Sequence, residues 1–98
     1  MNVSEHLLSC LAEECGEVMQ NASKSLRFGL DDRNVLDPTG PTNRERLVDE
    51  LNDLIGVADM LSDRGMIPKN WRDQEKQDVK QHKVAKFMDY AASIGALK

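Results

Sequence analysis

Apolar residues return at every third or fourth position along most of this 98-residue chain, and no stretch alternates apolar with polar residues as a strand does. Three- and four-residue spacing places side chains on one face of a helix. The pattern predicts three helical stretches, the last of them polar in its first half. We therefore expect an all-α fold, a small antiparallel helical bundle.

The first helix is expected from about Ser4 to Leu26 or Arg27, where Gly29 ends it. The third is expected from about Asn70 to Ile94. Between the first and second helices lies "FGLDDRNVLDPTGPTN", whose Pro38, Gly40 and Pro41 forbid a continuous element. Loops of this length inside a compact domain are uncommon and are often functional.

The second helix begins with "TNRE", in which Thr42 and Glu45 have the spacing of a capping box. Gly65 follows its last apolar residue and predicts its end. The length of the chain fits one domain, residues 1–98. Three amphipathic helices make a thin bundle, so we expect self-association, as a homodimer or homotetramer, to complete it.

Composition excludes several classes of function. A net charge of −4 argues against binding nucleic acid through a basic surface. Aromatic residues make up only 4% of the chain, which argues against a surface that stacks on bases. No apolar run is long enough to span a membrane, and the first residues do not resemble a signal peptide. Cys10 and Cys15 point away from each other on a helix, and free thiols fit the reducing cytoplasm.

Two carboxylate pairs lie beside the apolar faces of the first two helices. On a helical wheel with about 100° per residue, the apolar residues of the first helix occupy one arc. Glu14 stands at the edge of this arc, and Glu17 lies about 60° further out. In the second helix Glu50 and Asp53 repeat this arrangement on the same side of the arc. If the two helices pack through these faces and run antiparallel, all four carboxylates meet on one side of the contact.

Carboxylates that converge in this way repel one another, raise each other's pKa and cost stability. A hard divalent cation removes that cost, since Mg²⁺ and Mn²⁺ prefer oxygen ligands. The alternative is that the acids are only the solvated border of an apolar face. A ferritin-like di-iron site needs a histidine three residues after a glutamate, and neither His6 nor His82 meets this condition.

The segments "EECGEV" and "DELNDLI" resemble the paired motifs of the MazG-like nucleoside triphosphate pyrophosphohydrolases, an all-α family. The resemblance covers roughly residues 7 to 61. The chain departs from the family's pattern in two places. The stretch between the motifs is long, and Asn52 stands where many members carry a small residue.

Membership of that family would imply Mg²⁺, or Mn²⁺ in its place, held by Glu14, Glu17, Glu50 and Asp53. It would also imply hydrolysis of a nucleoside triphosphate between the α and β phosphates, and assembly as dimers or tetramers. One of the four acids, or Glu13, would then take the proton from the attacking water.

Phosphates outside the metal site need cations or other donors. Asn21 and Lys24 lie near Glu17 on the helical wheel, one and two turns further on, and Arg27 is a weaker candidate. Lysines also recur at helical spacing in the third stretch, where Lys83 and Lys86 are candidate phosphate contacts; a solvated helix face is the alternative.

Two other functions remain open from the sequence. The first is a non-catalytic helical interaction or regulatory module, whose acids are only solvated. The second is a nucleotide sensor that binds metal without hydrolysis. The preferred base and sugar are not indicated by any residue.

Overall fold

The computed structural model describes all residues, 1–98, and contains three helices: α1 (Val3–Phe28), α2 (Asn43–Asp63) and α3 (Gln74–Ser93). It has no strand, and the only β-type pairing is an isolated bridge between Arg33 and Thr42. The all-α prediction is confirmed. The chain divides into two compact units, Met1–Pro68 and Lys69–Lys98, and the single domain over residues 1–98 stays a prediction. No helix is long and apolar enough to cross a membrane.

Both ends of α1 are set by the residues beside them. The Asn2 side chain accepts a hydrogen bond from the Glu5 amide at 2.8 Å, which caps the first turn. Gly29 ends the helix with a φ of 96°, a conformation that glycine adopts readily, and its amide donates to the Ser25 carbonyl. The predicted end at Gly29 is confirmed.

The N-terminus of α2 carries the predicted capping box. The Thr42 hydroxyl accepts from the Glu45 amide, and the Glu45 carboxylate accepts from the Thr42 amide. The Thr42 hydroxyl also donates to the Glu45 carboxylate at 3.0 Å, and this bond first, then the one from the Thr42 amide, holds the pKa of Glu45 below its usual value. The C-terminus closes with Met66 donating to Leu61 and Gly65 to Ser62, so the predicted stop is also confirmed.

Helices α1 and α2 pack on each other and run antiparallel, since the end of α1 meets the start of α2 and Glu14, earlier in α1, meets Glu50 and Asp53, later in α2. The end of α1 is tied to the start of α2, because the buried side-chain amide of Asn43 donates to the Gly29 carbonyl at 2.9 Å. The buried apolar side chains of this unit are Leu7, near the start of α1, and Ala58 and Leu61, near the end of α2. A chain of this size buries little apolar surface, and these three are its only buried apolar residues.

The long connection between α1 and α2 is tied to the start of α2 by backbone hydrogen bonds. The Asn43 amide donates to the Asp32 carbonyl and the Arg44 amide to the Leu30 carbonyl, each at 2.8 Å. Within the connection, the Arg33 Nε donates to the Gly40 carbonyl at 3.0 Å. These contacts place residues 29–42 beside the joined ends of α1 and α2.

The second unit contains α3, which begins at Gln74 and not at the predicted Asn70. The reason is local: the Asp73 carboxylate accepts from the Lys76 amide at 3.0 Å and fixes the helix start there. None of the residues of α3 is buried. Large apolar side chains in its second half are exposed, including Phe87 at 62%.

Candidate metal centre

Three carboxylates from two helices converge in the first unit. One oxygen each from Glu14, Glu50 and Asp53 lies within 4.8 Å of the other two. Glu50 and Asp53 are three residues apart and share a face of α2. Glu14 reaches them from α1 because the two helices are antiparallel. The sequence predicted this convergence of both motifs, and the structure brings these three of the four acids together.

One oxygen of this cluster has no partner in the protein. Glu14 Oε2 is buried and accepts no hydrogen bond. A buried acceptor without a partner costs the fold its lost hydration, and the cost is larger for a charged group. An oxygen in this state is suited to binding a cation.

The charges around Glu50 also favour the binding of a cation. The pKa of Glu50 is raised above its usual value, first by the withdrawal of its carboxyl from water and then by the charge of Asp53. The charges of Glu17, Glu14 and Asp49 add smaller contributions in the same direction. Negative charge is therefore concentrated at Glu50, where a proton or a metal ion would neutralise it.

Glu17 lies outside the set of three. It is near enough for its charge to raise the pKa of Glu50, but none of its oxygens belongs to the group within 4.8 Å. Glu13 is exposed on α1. The fourth predicted ligand is thus a neighbour of the cluster and not a member of it.

The predicted phosphate contacts on α1 lie in three different environments. Asn21 is only 5% exposed, and its side-chain amide donates to the Glu17 carbonyl at 2.9 Å; its role as a phosphate contact stays a prediction. Arg27 is exposed, with its guanidinium 5.2 Å from the centre of the Phe28 ring. Lys24 is half-buried and makes no hydrogen bond or ion pair with the rest of the chain, which leaves its charge available.

Lys83 and Lys86 are both exposed on α3 in the second unit. Neither makes a hydrogen bond or ion pair within the chain. Their role as phosphate contacts stays a prediction.

Sequence reasoning missed two cations beside Lys24. Arg33 and Arg46 line a pocket of about 170 Å³ together with Lys24. The only sequence signal was their position on either side of the Thr42 cap. The pocket depends on how the connection folds back on α2, and residue spacing does not show this.

Comparison with known proteins gives two partial similarities. The chain is 28% identical over 90 residues to flap endonuclease 1 of Entamoeba histolytica, and 29% identical over 90 residues to flap endonuclease 1 of Entamoeba dispar. Each alignment covers 90% of this chain but 24% of the relative, so the chain spans about a quarter of the length of these curated relatives. No family model matches the chain. No solved structure matches it either.

Proposed function

We propose that the chain is a Mg²⁺-dependent nucleoside triphosphate pyrophosphohydrolase that releases a nucleoside monophosphate and pyrophosphate. The observation that carries the proposal is the meeting of Glu14 with Glu50 and Asp53 across the antiparallel pair of α1 and α2. The resemblance of the two acidic motifs to the MazG-like family supplies the reaction.

The donor set fits a hard divalent cation. All three groups are carboxylates, the ligands that Mg²⁺ and Mn²⁺ prefer, and the buried oxygen of Glu14 lacks any other partner. Glu14, Glu50 and Asp53 would hold the ion. When bound, the ion supplies Lewis-acid polarisation and neutralises charge on the phosphate oxygens.

Glu17 is then the best-placed base. It lies beside the cluster without belonging to it, so its carboxylate stays free to accept a proton. Water attacks the α-phosphorus, a bond forms between that phosphorus and the water oxygen, and the bond to the bridging oxygen breaks. The water proton passes to the Glu17 carboxylate, and pyrophosphate leaves.

The test separates these two roles with matched variants. We expect the wild type to release pyrophosphate from at least one member of a panel of ribo- and deoxyribonucleoside triphosphates with Mg²⁺. Glu50→Gln should lose both Mn²⁺ binding and hydrolysis, whereas Glu17→Gln should keep Mn²⁺ binding and lose at least about a hundredfold in kcat. Metal binding without pyrophosphate release from any nucleotide would favour the nucleotide sensor. Neither binding nor release would favour the interaction module.

The similarity to the flap endonucleases favours a second candidate function. A metal-dependent enzyme that hydrolyses phosphodiester bonds of nucleic acid would use the same three carboxylates. The net charge of −4 opposes it, because a nuclease must attract a polyanion. Incubating the wild type with a flap-bearing nucleic acid and Mg²⁺ distinguishes the two: we expect no cleavage, and cleavage that Glu50→Gln abolishes would favour the nuclease.

A further inference from the structure

The pocket beside Lys24 lies where the connection folds back over the joined ends of α1 and α2. Its walls include the aromatic ring of Phe28 from α1 and the side chain of Val35 from the connection. The buried Asn43 forms part of the wall, and its amide is already engaged with the Gly29 carbonyl. The pocket therefore depends on hydrogen bonds that hold the connection in place.

Positive charge exceeds negative charge in this pocket, although the whole chain is acidic. Lys24, Arg33 and Arg46 line it, and Asp32 is the one acid among the lining residues. A second acid, Asp37, lies with its carboxylate 3.8 Å from the Arg46 guanidinium, a long and partly exposed ion pair. Even with Asp37 counted, three cations face two acids, so positive charge remains in excess.

Two of the cations have a donor group without a partner: the Nε of Arg46 and the ammonium of Lys24. Arg46 Nε is buried and donates to no acceptor in the protein. The Lys24 ammonium forms neither a hydrogen bond nor an ion pair within the chain. A buried guanidinium donor without an acceptor is costly, and an anion that receives this hydrogen bond removes the cost.

The size of the pocket limits what it takes. A volume of about 170 Å³ is below the roughly 300–1,000 Å³ of pockets that enclose a whole small ligand. It therefore suits one group of a ligand, and the charges select an anionic group with several acceptor oxygens. Arginine forks match the oxygens of a phosphate in this way.

We infer that the pocket formed by Lys24, Arg33 and Arg46 binds a phosphoryl group. Arg46 is one helical turn before Glu50 on α2, or about 6 Å along the axis. The pocket and the three carboxylates thus lie on the same pair of helices, and under the proposed function they would contact the same nucleotide. That second statement rests on the proposed function, but phosphoryl binding by the pocket does not.

The test uses the full chain without divalent cations, so that the carboxylate cluster takes no part. Inorganic pyrophosphate is titrated in EDTA at constant ionic strength, and backbone amide shifts are followed by NMR. We expect saturable shifts at Gly29, Val35 and Asn43, and an affinity roughly tenfold lower in Lys24→Gln, which breaks no bond within the protein. Lys69→Gln, an exposed charge-matched change in the second unit, should leave the affinity unchanged.

A second arm identifies the group that is recognised. A nucleoside monophosphate should shift the same amides as pyrophosphate, and the nucleoside without phosphate should not. Equal binding of the nucleoside, or equal weakening by Lys24→Gln and Lys69→Gln, would overturn the inference. A failure of the proposed function shows instead as intact pyrophosphate binding in EDTA without hydrolysis of any nucleotide.

Discussion

At the scale of single residues, Glu50 is a carboxylate whose ionised form the fold disfavours. Its pKa is raised, mainly by withdrawal from water and by Asp53, so the folded chain binds this proton more tightly than the unfolded chain does. Ionised Glu50 therefore destabilises the metal-free fold at neutral pH. This cost disappears as the pH falls through the raised pKa towards the usual glutamate value, about 4.3.

The raised pKa of Glu50 determines how the stability of the metal-free protein in EDTA depends on pH. We expect Glu50→Gln to have a higher urea midpoint than the wild type at pH 7, and the difference to shrink as the pH is lowered towards 5. Urea titrations of both proteins at several pH values measure it. A lower midpoint for Glu50→Gln at pH 7 would mean that the ionised carboxylate stabilises the metal-free fold.

At the scale of elements, the end of α1 and the start of α2 were predictable, whereas the start of α3 and the arrangement of the connection were not. The start of α2 and the glycine that ends α1 follow from hydrogen bonds between residues close in sequence, which is why "TNRE" and Gly29 were sufficient. The start of α3 was misplaced because Asp73, the cap, follows polar residues without helical periodicity.

Part of the candidate site was predictable from the sequence and part was not. Glu14 and Glu50 were predictable because a wheel places each at the edge of an apolar face, and antiparallel packing then joins the two faces. The position of Glu17 outside the cluster depends on side-chain orientation, which spacing along a helix does not fix. The pocket lined by Arg33 and Arg46 depends on hydrogen bonds between the connection and the start of α2. These bonds join residues far apart in sequence, and no local sequence pattern predicts them.

The cap of α2 gives a prediction about an element. Thr42→Ala removes the acceptor of the Glu45 amide and one donor to the Glu45 carboxylate, and we expect it to lower the free energy of unfolding by about 1 kcal/mol. Thr39→Ala is the matched control, since Thr39 is exposed in the same connection and makes no hydrogen bond. Equal effects of the two changes in urea unfolding would show that the cap contributes nothing specific.

At the scale of the whole molecule, several large apolar side chains of α1 and α2 are exposed. On α2 a stripe at helical spacing consists of Val48, Leu51 and Ile55, which are 52%, 43% and 39% exposed. On α1, Met19 and Leu26 are 72% and 88% exposed. Exposed apolar surface in contiguous stripes is typical of protein contacts, so we propose that a second copy of the chain covers the stripe on α2.

Light scattering tests this proposal about assembly. We expect at least a dimer at micromolar concentration, and we expect Ile55→Glu to shift it towards monomer because burying an unpaired charge is costly. Val79→Glu, on the exposed surface of α3, is the control and should not change the mass. A monomeric wild type at these concentrations would contradict the proposal.

The most direct test of the central claim, that Glu14, Glu50 and Asp53 hold one divalent cation between two helices, is a Mn²⁺ titration followed by the paramagnetic resonance of the free ion. The wild type should remove Mn²⁺ from solution in a saturable way, Mg²⁺ should compete for it, and Glu50→Gln should abolish the binding. Asp49→Asn, which removes one charge beside Glu50 but no oxygen of the cluster, should retain it. The claim is contradicted if Glu50→Gln binds Mn²⁺ as tightly as the wild type does.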